Sequence, residues 1–145
     1  MFRVLALFLL MEKYPFDIYI TMRYSHTTIY KAGGEKMELE KAFKTYIPMT
    51  ETAFYILLSL TEPKHGYGII KHVEEITNKR IRLGSGTVYG TLTKMQRDGI
   101  ITVYADEKRK KTYEITNAGK KLMLKEIKRL KELHENALRY EGEFL

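Results

Sequence analysis

Cysteine is absent from the 145 residues. That absence removes disulfides, thiolate metal sites and cysteine nucleophiles together, and it matches a reducing cytosol. A cytoplasmic location is therefore the expectation. Histidine is sparse, and His26, His65, His72 and His134 show no HExxH or other ligand spacing, so neither a metal nor a cofactor is expected. No paired carboxylates or Ser/His/Asp arrangement suggests hydrolysis, and the chain reads as a non-enzyme. Long hydrophobic runs are missing too. The apolar stretch from Val4 to Met11 follows the single basic Arg3 and falls far short of the about 20 residues that cross a bilayer. Glu12, Lys13, Tyr14 and Pro15 stand where a secretory signal needs small cleavage-site residues. Neither membrane insertion nor export is expected.

What the chain does have is basic charge: 25 Lys and Arg against 18 Asp and Glu, a net charge of +7 and a pI near 9.4. Its length allows one modest core. The surplus favours polyanionic partners such as nucleic acid or acidic lipid, without choosing between them. Residues 1–36 form an atypical segment that mixes aromatic and polar residues without helical or alternating period. It closes on Lys31-Ala32-Gly33-Gly34-Glu35-Lys36, whose Ala-Gly-Gly-Glu codons can spell a purine-rich ribosome-binding site just upstream of Met37. The expectation is a native start at Met37. A poorly ordered N-terminal arm is the alternative.

From Met37 onward helical signals succeed one another. Glu38 to Tyr46 is a short charged helix that ends ahead of Pro48. Thr50 caps a helix in which Ala53, Phe54, Ile56, Leu57, Leu58 and Leu60 occupy most of the circumference, so it must be largely buried. Pro63 breaks it within Thr61–His65, and Gly66-Tyr67-Gly68 opens a second helix with Ile69, Ile70, Val73 and Ile76 on one inward face. After a turn over Asn78–Gly84, Ser85 is expected to cap a third helix to about Asp98, with Val88, Leu92 and Met95 inward. Thr87, Tyr89, Gly90, Thr91, Lys94 and Arg97 fill its other side. Hydroxyls and a tyrosine can bond phosphates or bases, and Lys and Arg neutralise charge, which is what a helix entering a major groove needs. An ordinary solvated amphipathic helix carries similar residues, so the context decides.

That context is a β-hairpin directly downstream. Ile100-Ile101-Thr102-Val103-Tyr104 and Thr112-Tyr113-Glu114-Ile115 are β-rich runs around a turn bearing Lys108, Arg109, Lys110 and Lys111. A basic hairpin tip beside a helix-turn-helix is a second arm for phosphates. Thr116 then caps a final helix in which Met123, Ile127, Leu130, Leu133, Ala137 and Tyr140 recur at intervals of four and three. A helix of about 23 residues is about 35 Å long, more than a small domain covers. Its end is therefore expected to pair with a second copy, while Leu122 and Leu124 pack back on the domain.

These residues resemble a known family. Pro48-Met49-Thr50-Glu51-Thr52-Ala53, Leu57-Leu58-Ser59-Leu60, His65-Gly66-Tyr67-Gly68-Ile69, Leu83-Gly84-Ser85-Gly86-Thr87-Val88-Tyr89 and Leu92 look like the PadR-type transcriptional regulators. So does the run Arg109-Lys110-Lys111-Thr112-Tyr113-Glu114-Ile115-Thr116-Asn117-Ala118-Gly119, which resembles that family's wing strand and final helix. The match covers nearly everything after Met37, and residues 1–36 have no counterpart in it. The resemblance implies a mainly α fold with a small β-hairpin, a winged helix-turn-helix over 37–115 and a single C-terminal dimerisation helix over 116–145, as in the shorter branch of the family. It further implies a homodimer that represses from a two-fold symmetric operator, with Thr87, Tyr89 and the basic wing on the DNA. Some relatives hold a flat drug between tryptophans at the dimer interface, and this chain has no tryptophan to do so.

A dimer of that kind reads a palindrome in double-stranded DNA with two helices about one turn apart, roughly 34–36 Å. Lys64, Lys94, Arg97, Lys108, Arg109 and Lys110 are the expected phosphate contacts, and Tyr67, Ser85 and Lys111 belong to the same candidate surface. His65 and Gly66 are expected either to bring backbone N–H groups to a phosphate or to serve only a tight turn. Release would need a signal, such as an unknown small-molecule effector, that prefers one spacing of the two domains. Two other readings stay open at this stage. The same fold can bind a protein or RNA partner, and Gly84–Gly90 can be read as a phosphate loop of a nucleotide enzyme, although Val88-Tyr89-Gly90 stand where a P-loop needs Gly-Lys-Ser/Thr.

Overall fold

The computed structural model describes residues 39–107 and 110–145. The expectations for residues 1–36, Lys108 and Arg109 lie outside the described residues. Lys41–Leu145 make up one unit of the chain, built around a single core.

Residues 39–46 are helical (α1). Helix α2 spans Glu51–Leu58 and runs into a 3-10 turn, Ser59–Thr61. The short strand β1 (Lys64–His65) leads into α3 (Gly66–Ile76), then α4 (Ser85–Arg97), β2 (Ile101–Glu107), β3 (Lys110–Ile115), α5 (Asn117–Tyr140) and a last 3-10 turn, Glu141–Phe144. The fold is mainly helical with a small sheet and a long terminal helix. The sheet has three antiparallel strands in the order β1-β3-β2, not the two of the expected hairpin. Lys64 pairs with Tyr113 and His65 with Thr112. Two residues carry no periodic signal, so β1 exists only because β3 offers it a free edge.

The core is where the helical stripes converge. Ile56, Leu57 and Leu60 from α2 and its turn meet Ile69 and Val73 of α3, and Val88, Leu92 and Met95 of α4, all at 1 % exposure or less. Ile100, Ile101 and Leu122 close it. Ile76, expected inward, is exposed because the inward face of α3 ends at Val73. Thr50 caps α2 by accepting the Ala53 N–H, and Thr116 caps α5 by accepting the Gly119 N–H. The expected cap of α4 shifts by one residue. Gly84 occupies the N-cap without a side-chain bond, and Ser85 is the first helical residue.

The junction between α4 and α5 is closely built. The Ile100 N–H donates to Met95 O at the end of α4, while the Thr116 N–H and hydroxyl both donate to Ile100 O, the hydroxyl also reaching Gly99 O at 2.7 Å. Gly119 then passes the Ile100 carbonyl so closely that a Cβ would collide with it and with Ile115 Cγ1. Only glycine permits that approach.

Helix α5 is anchored along its first half. Leu122, Met123 and Glu126 are buried and Ile127 packs against the core. Glu126, 1 % exposed, accepts the Met49 N–H and a two-pronged bond from Arg129 Nε and Nη2 at 2.8 and 2.6 Å. The Arg129 guanidinium, helped by the Met49 N–H, holds the Glu126 carboxyl below the usual carboxylate range. A buried charge is tolerable here because both oxygens are bonded. The packing corrects two expectations: Met123 belongs to the protomer's own core and so leaves the pairing seam, whereas Leu124, expected to pack back, is 67 % exposed.

Candidate nucleic-acid interface

With Val88, Leu92 and Met95 buried, the 3.6-residue repeat turns the opposite side of α4 outward. Gly86, Gly90, Thr93 and Arg97 fall on that crest, at spacings of four, three and four, and all are exposed. A Cβ on Gly86 or Gly90 would meet nothing within 4 Å. The N-terminal half of this outward strip is therefore bare backbone, and Thr93 and Arg97 continue it. Gly86 and Thr93 are absent from the sequence-derived candidates, although a position half a turn away from the apolar stripe is a signal that could have found them.

The crest has two flanks. On one, the Tyr89 ring lies on Gly66, where a Cβ would stand 2.6 Å from Tyr89 Cζ. A side chain at position 66 would push the Tyr89 ring aside, so this glycine has a role in seating that ring without any phosphate contact. Tyr89 remains 47 % exposed. Beside it, burial and the neighbouring Tyr89 push the Tyr113 hydroxyl of β3 up from its ordinary value. His65 accepts the Gly68 N–H on Nδ1 at 3.0 Å and so caps α3 with its ring. Tyr67 stacks on that ring, and Lys71 Nζ sits 5.0 Å over Tyr67. One of the backbone donors at the start of α3, the Gly68 N–H, is thereby already bonded within the protein. Lys64 is within 3.6 Å of Glu62.

On the other flank lie Thr87, Thr91 and Lys94. Lys94 Nζ donates to Asp98 Oδ2 at 2.8 Å and stands 4.1 Å over the Tyr46 ring. The Tyr46 hydroxyl donates to the same oxygen. Lys94 holds the Asp98 carboxyl below its usual range, and Asp98 in turn raises the Lys94 ammonium. Arg97 Nε approaches Asp98 at 3.6 Å. Two cations therefore share one carboxylate, and Lys94 is a fixed cation with part of its charge answered within the protein. Nothing in the local pattern of α4 announces Tyr46 as its partner.

In the wing, Lys110 and Lys111 are exposed on β3, and their cross-strand partners are Glu107 and Asp106. The basic charge of β3 is consequently offset by acids on β2, a pairing that the composition of the turn does not show. A register shift between Val103 and Ala105 leaves Tyr104 out of the ladder and exposed. Ser85 and Thr87 are exposed at the start of α4, and Thr91 is half-buried. Of the positions expected at the interface, Thr87, Tyr89, Gly90, Thr91, Lys94 and Arg97 lie on α4 outside its buried stripe, and Tyr67 is exposed on α3.

The Gly84–Gly90 stretch is helical from Ser85 and is preceded by residues 81–83 in no strand, so the phosphate-loop reading fails on its required strand-loop-helix order. Among the described residues no helix is long and apolar enough to cross a membrane.

No curated protein matches the chain significantly. Among solved structures, a PadR family transcription regulator from Clostridium difficile is 25% identical, covers 63% of this chain and 98% of its own, and superposes with a TM-score of 0.56. A transcriptional regulator from Clostridium thermocellum is 24% identical over 61% of this chain and 86% of its own, with a TM-score of 0.53. A PadR-like transcription factor from Bacteroides fragilis is 23% identical over the same shares, with a TM-score of 0.50. The model of the PadR-like family of transcriptional regulators matches residues 54–125, a span that runs from α2 through the wing into the buried half of α5. The helix order, the three-stranded wing and this match agree: the chain belongs to the PadR-like family of transcriptional regulators, and its business is DNA rather than catalysis.

Proposed function

We propose that the protein is a homodimeric repressor that binds an operator of two-fold symmetry, with α4 of each copy in a major groove. Residues 37–115 form its DNA-binding domain and residues 116–145 its pairing helix, whose inner half is rooted in the domain. The observation that carries the DNA reading is the open hydrophilic face of α4, with its apolar side wholly buried. Thr87, Tyr89, Thr91 and Arg97 then read bases or bond phosphates, and Lys110 and Lys111, with Lys108 and Arg109, bring the wing to the backbone.

Pairing is supported by the free half of α5. Residues 131–145 are all exposed, and Leu133, Leu138, Tyr140 and Phe144 leave large apolar surface in water. A helix with such a stripe is stable when another surface covers it. Leu130, Leu133, Ala137 and Tyr140 continue the heptad spacing that begins within the domain at Met123. Paired this way, two copies place their recognition helices on successive turns of one face of the duplex. Occlusion of a promoter by that dimer gives repression.

Selection of bound sequences from random duplex DNA tests the reading. Enrichment of an inverted repeat is the expected result, with a solution mass of twice the chain. Enrichment of no sequence, or of unpaired half-sites by a monomer, would overturn it. Tyr89→Ala should weaken binding to the selected site while the circular-dichroism spectrum and mass hold.

A further inference from the structure

A helix seated in a major groove is bordered by two phosphate backbones, one on each side. Gly66 and Tyr113 both lie near Tyr89, so β1 and β3 border α4 on the Tyr89 flank and offer a neighbouring backbone strand nothing on the other flank. On the opposite flank α4 faces an open cleft of about 520 Å³, walled by Thr87, Gly90, Thr91 and Lys94 on one side and by Thr45, Tyr46, Pro48, Thr50 and Ala53 on the other. The far wall comes from the junction of α1 and α2, about forty residues upstream of α4 in sequence and outside every candidate site derived from it.

We propose that this cleft is a phosphodiester track: it takes the second backbone strand of the operator, gripped by Thr50, Thr87, Thr91 and Lys94. The inference rests on the reading of α4 as the helix that enters the groove. Its chemistry fits the ligand. The Thr50 oxygen accepts the Ala53 N–H, which leaves the hydroxyl hydrogen to donate outward. Thr87 and Thr91 line the same wall with hydroxyls of the same kind. Lys94 spends one N–H on Asp98 and keeps two more. The Tyr46 ring beneath it and the Asp98 carboxylate beside it hold the ammonium in place, so little side-chain freedom is lost when a phosphate arrives. Gly86 and Gly90, with no Cβ, keep the α4 wall low. Exposed Lys41 and Lys44 on α1 add positive charge on the Thr45 side. Contacts of this kind carry no base information. They add affinity equally to any sequence and fix the tilt of α4 in the groove.

The test must spare the helix cap. Thr50→Asp keeps a good N-cap and puts a negative charge in the track, while Thr50→Asn keeps the cap with neutral donors. Both are compared with the wild-type chain on the selected duplex and on a random-sequence duplex, with circular dichroism and melting as controls of fold. Thr50→Asp should lose about 10-fold in affinity on both duplexes alike, leaving their ratio unchanged, and Thr50→Asn should stay near wild type. Replacing phosphates of the selected duplex with neutral methylphosphonates, one symmetry-related pair at a time, should abolish the Thr50→Asp loss at one or two positions of each half-site, on one strand of that half-site. If Thr50→Asp binds both duplexes like wild type, the track is not used. If it loses only the selected sequence, the cleft reads bases and the proposal is wrong. A wild-type chain that binds neither duplex overturns the DNA reading itself and this inference with it, a result that no variant comparison can imitate.

Discussion

Gly90 sits in the interior of α4, where glycine is worth about 1 kcal/mol less than alanine because it fixes a freer backbone. Its Cβ position is open, with no heavy atom within 4 Å, so a methyl group there strains nothing in the isolated protein. Gly90→Ala should therefore stabilise the fold by about 1 kcal/mol, which raises the melting temperature by about 4–8 °C in a domain of this size. The effect on DNA has the opposite sign. If the glycine crest lets the helix backbone lie against the groove floor, the methyl must be accommodated in an already packed interface at a cost of about 1–3 kcal/mol, or roughly 5- to 150-fold in affinity. Thermal melting by circular dichroism and anisotropy titration of the selected duplex measure the two quantities on one sample. Gain of stability with unchanged affinity would refute the close approach of the crest. Loss of stability would refute the open environment from which the reasoning starts.

Three further substitutions probe the frame that holds this helix. Gly119→Ala drives a methyl into the Ile100 carbonyl and Ile115, and should lower stability by about 1–3 kcal/mol or more, read as a lower denaturant midpoint at unchanged slope. Glu126→Gln removes the carboxylate that ties Met49 and Arg129 together, and about 1–3 kcal/mol should be lost at neutral pH. Because the Glu126 pKa is depressed in the fold from its ordinary 4.5, that advantage is present above pH 4.5 and disappears as the pH falls through the lower folded value. Urea melts between pH 3 and 7 should show the two proteins converging at the acid end. Leu133→Asp places a charge in the exposed stripe of α5 without touching the core, so the protomer should keep its circular-dichroism spectrum while light scattering reports a monomer that no longer binds an inverted repeat tightly.

Helices α2 to α5 are legible in the sequence because their apolar residues recur at helical spacing and because Thr50 and Thr116 mark two of their starts with side chains that bond the backbone. The hairpin is legible from its β-branched and aromatic runs. The rest is decided across the chain rather than along it. Strand β1 is two residues that pair with β3. Glu126 looks like one more solvated charge in a Lys- and Glu-rich helix, and only its burial beside the Met49 N–H distinguishes it. Lys94 has the pattern of a free cation, whereas Tyr46 and Asp98 fix it from two sides. The cap of α4 lies one residue before Ser85, at Gly84, which has no side chain to advertise the position. In the candidate site, hydroxyls and bases are visible as residue types. The glycine crest and the cleft beside it are not, since an emptiness has no residue type.

The turn at Gly99 and Ile100 has a mechanical consequence. The Ile100 amide is bonded to the last turn of α4 and its carbonyl to the cap of α5, with Gly119 pressed against the same oxygen. Such a hub has no slack, so the long shaft and the reading helix must pivot together. In the proposed dimer, a change in the crossing angle of the two shafts would re-aim both reading heads at once, without passing through the wing.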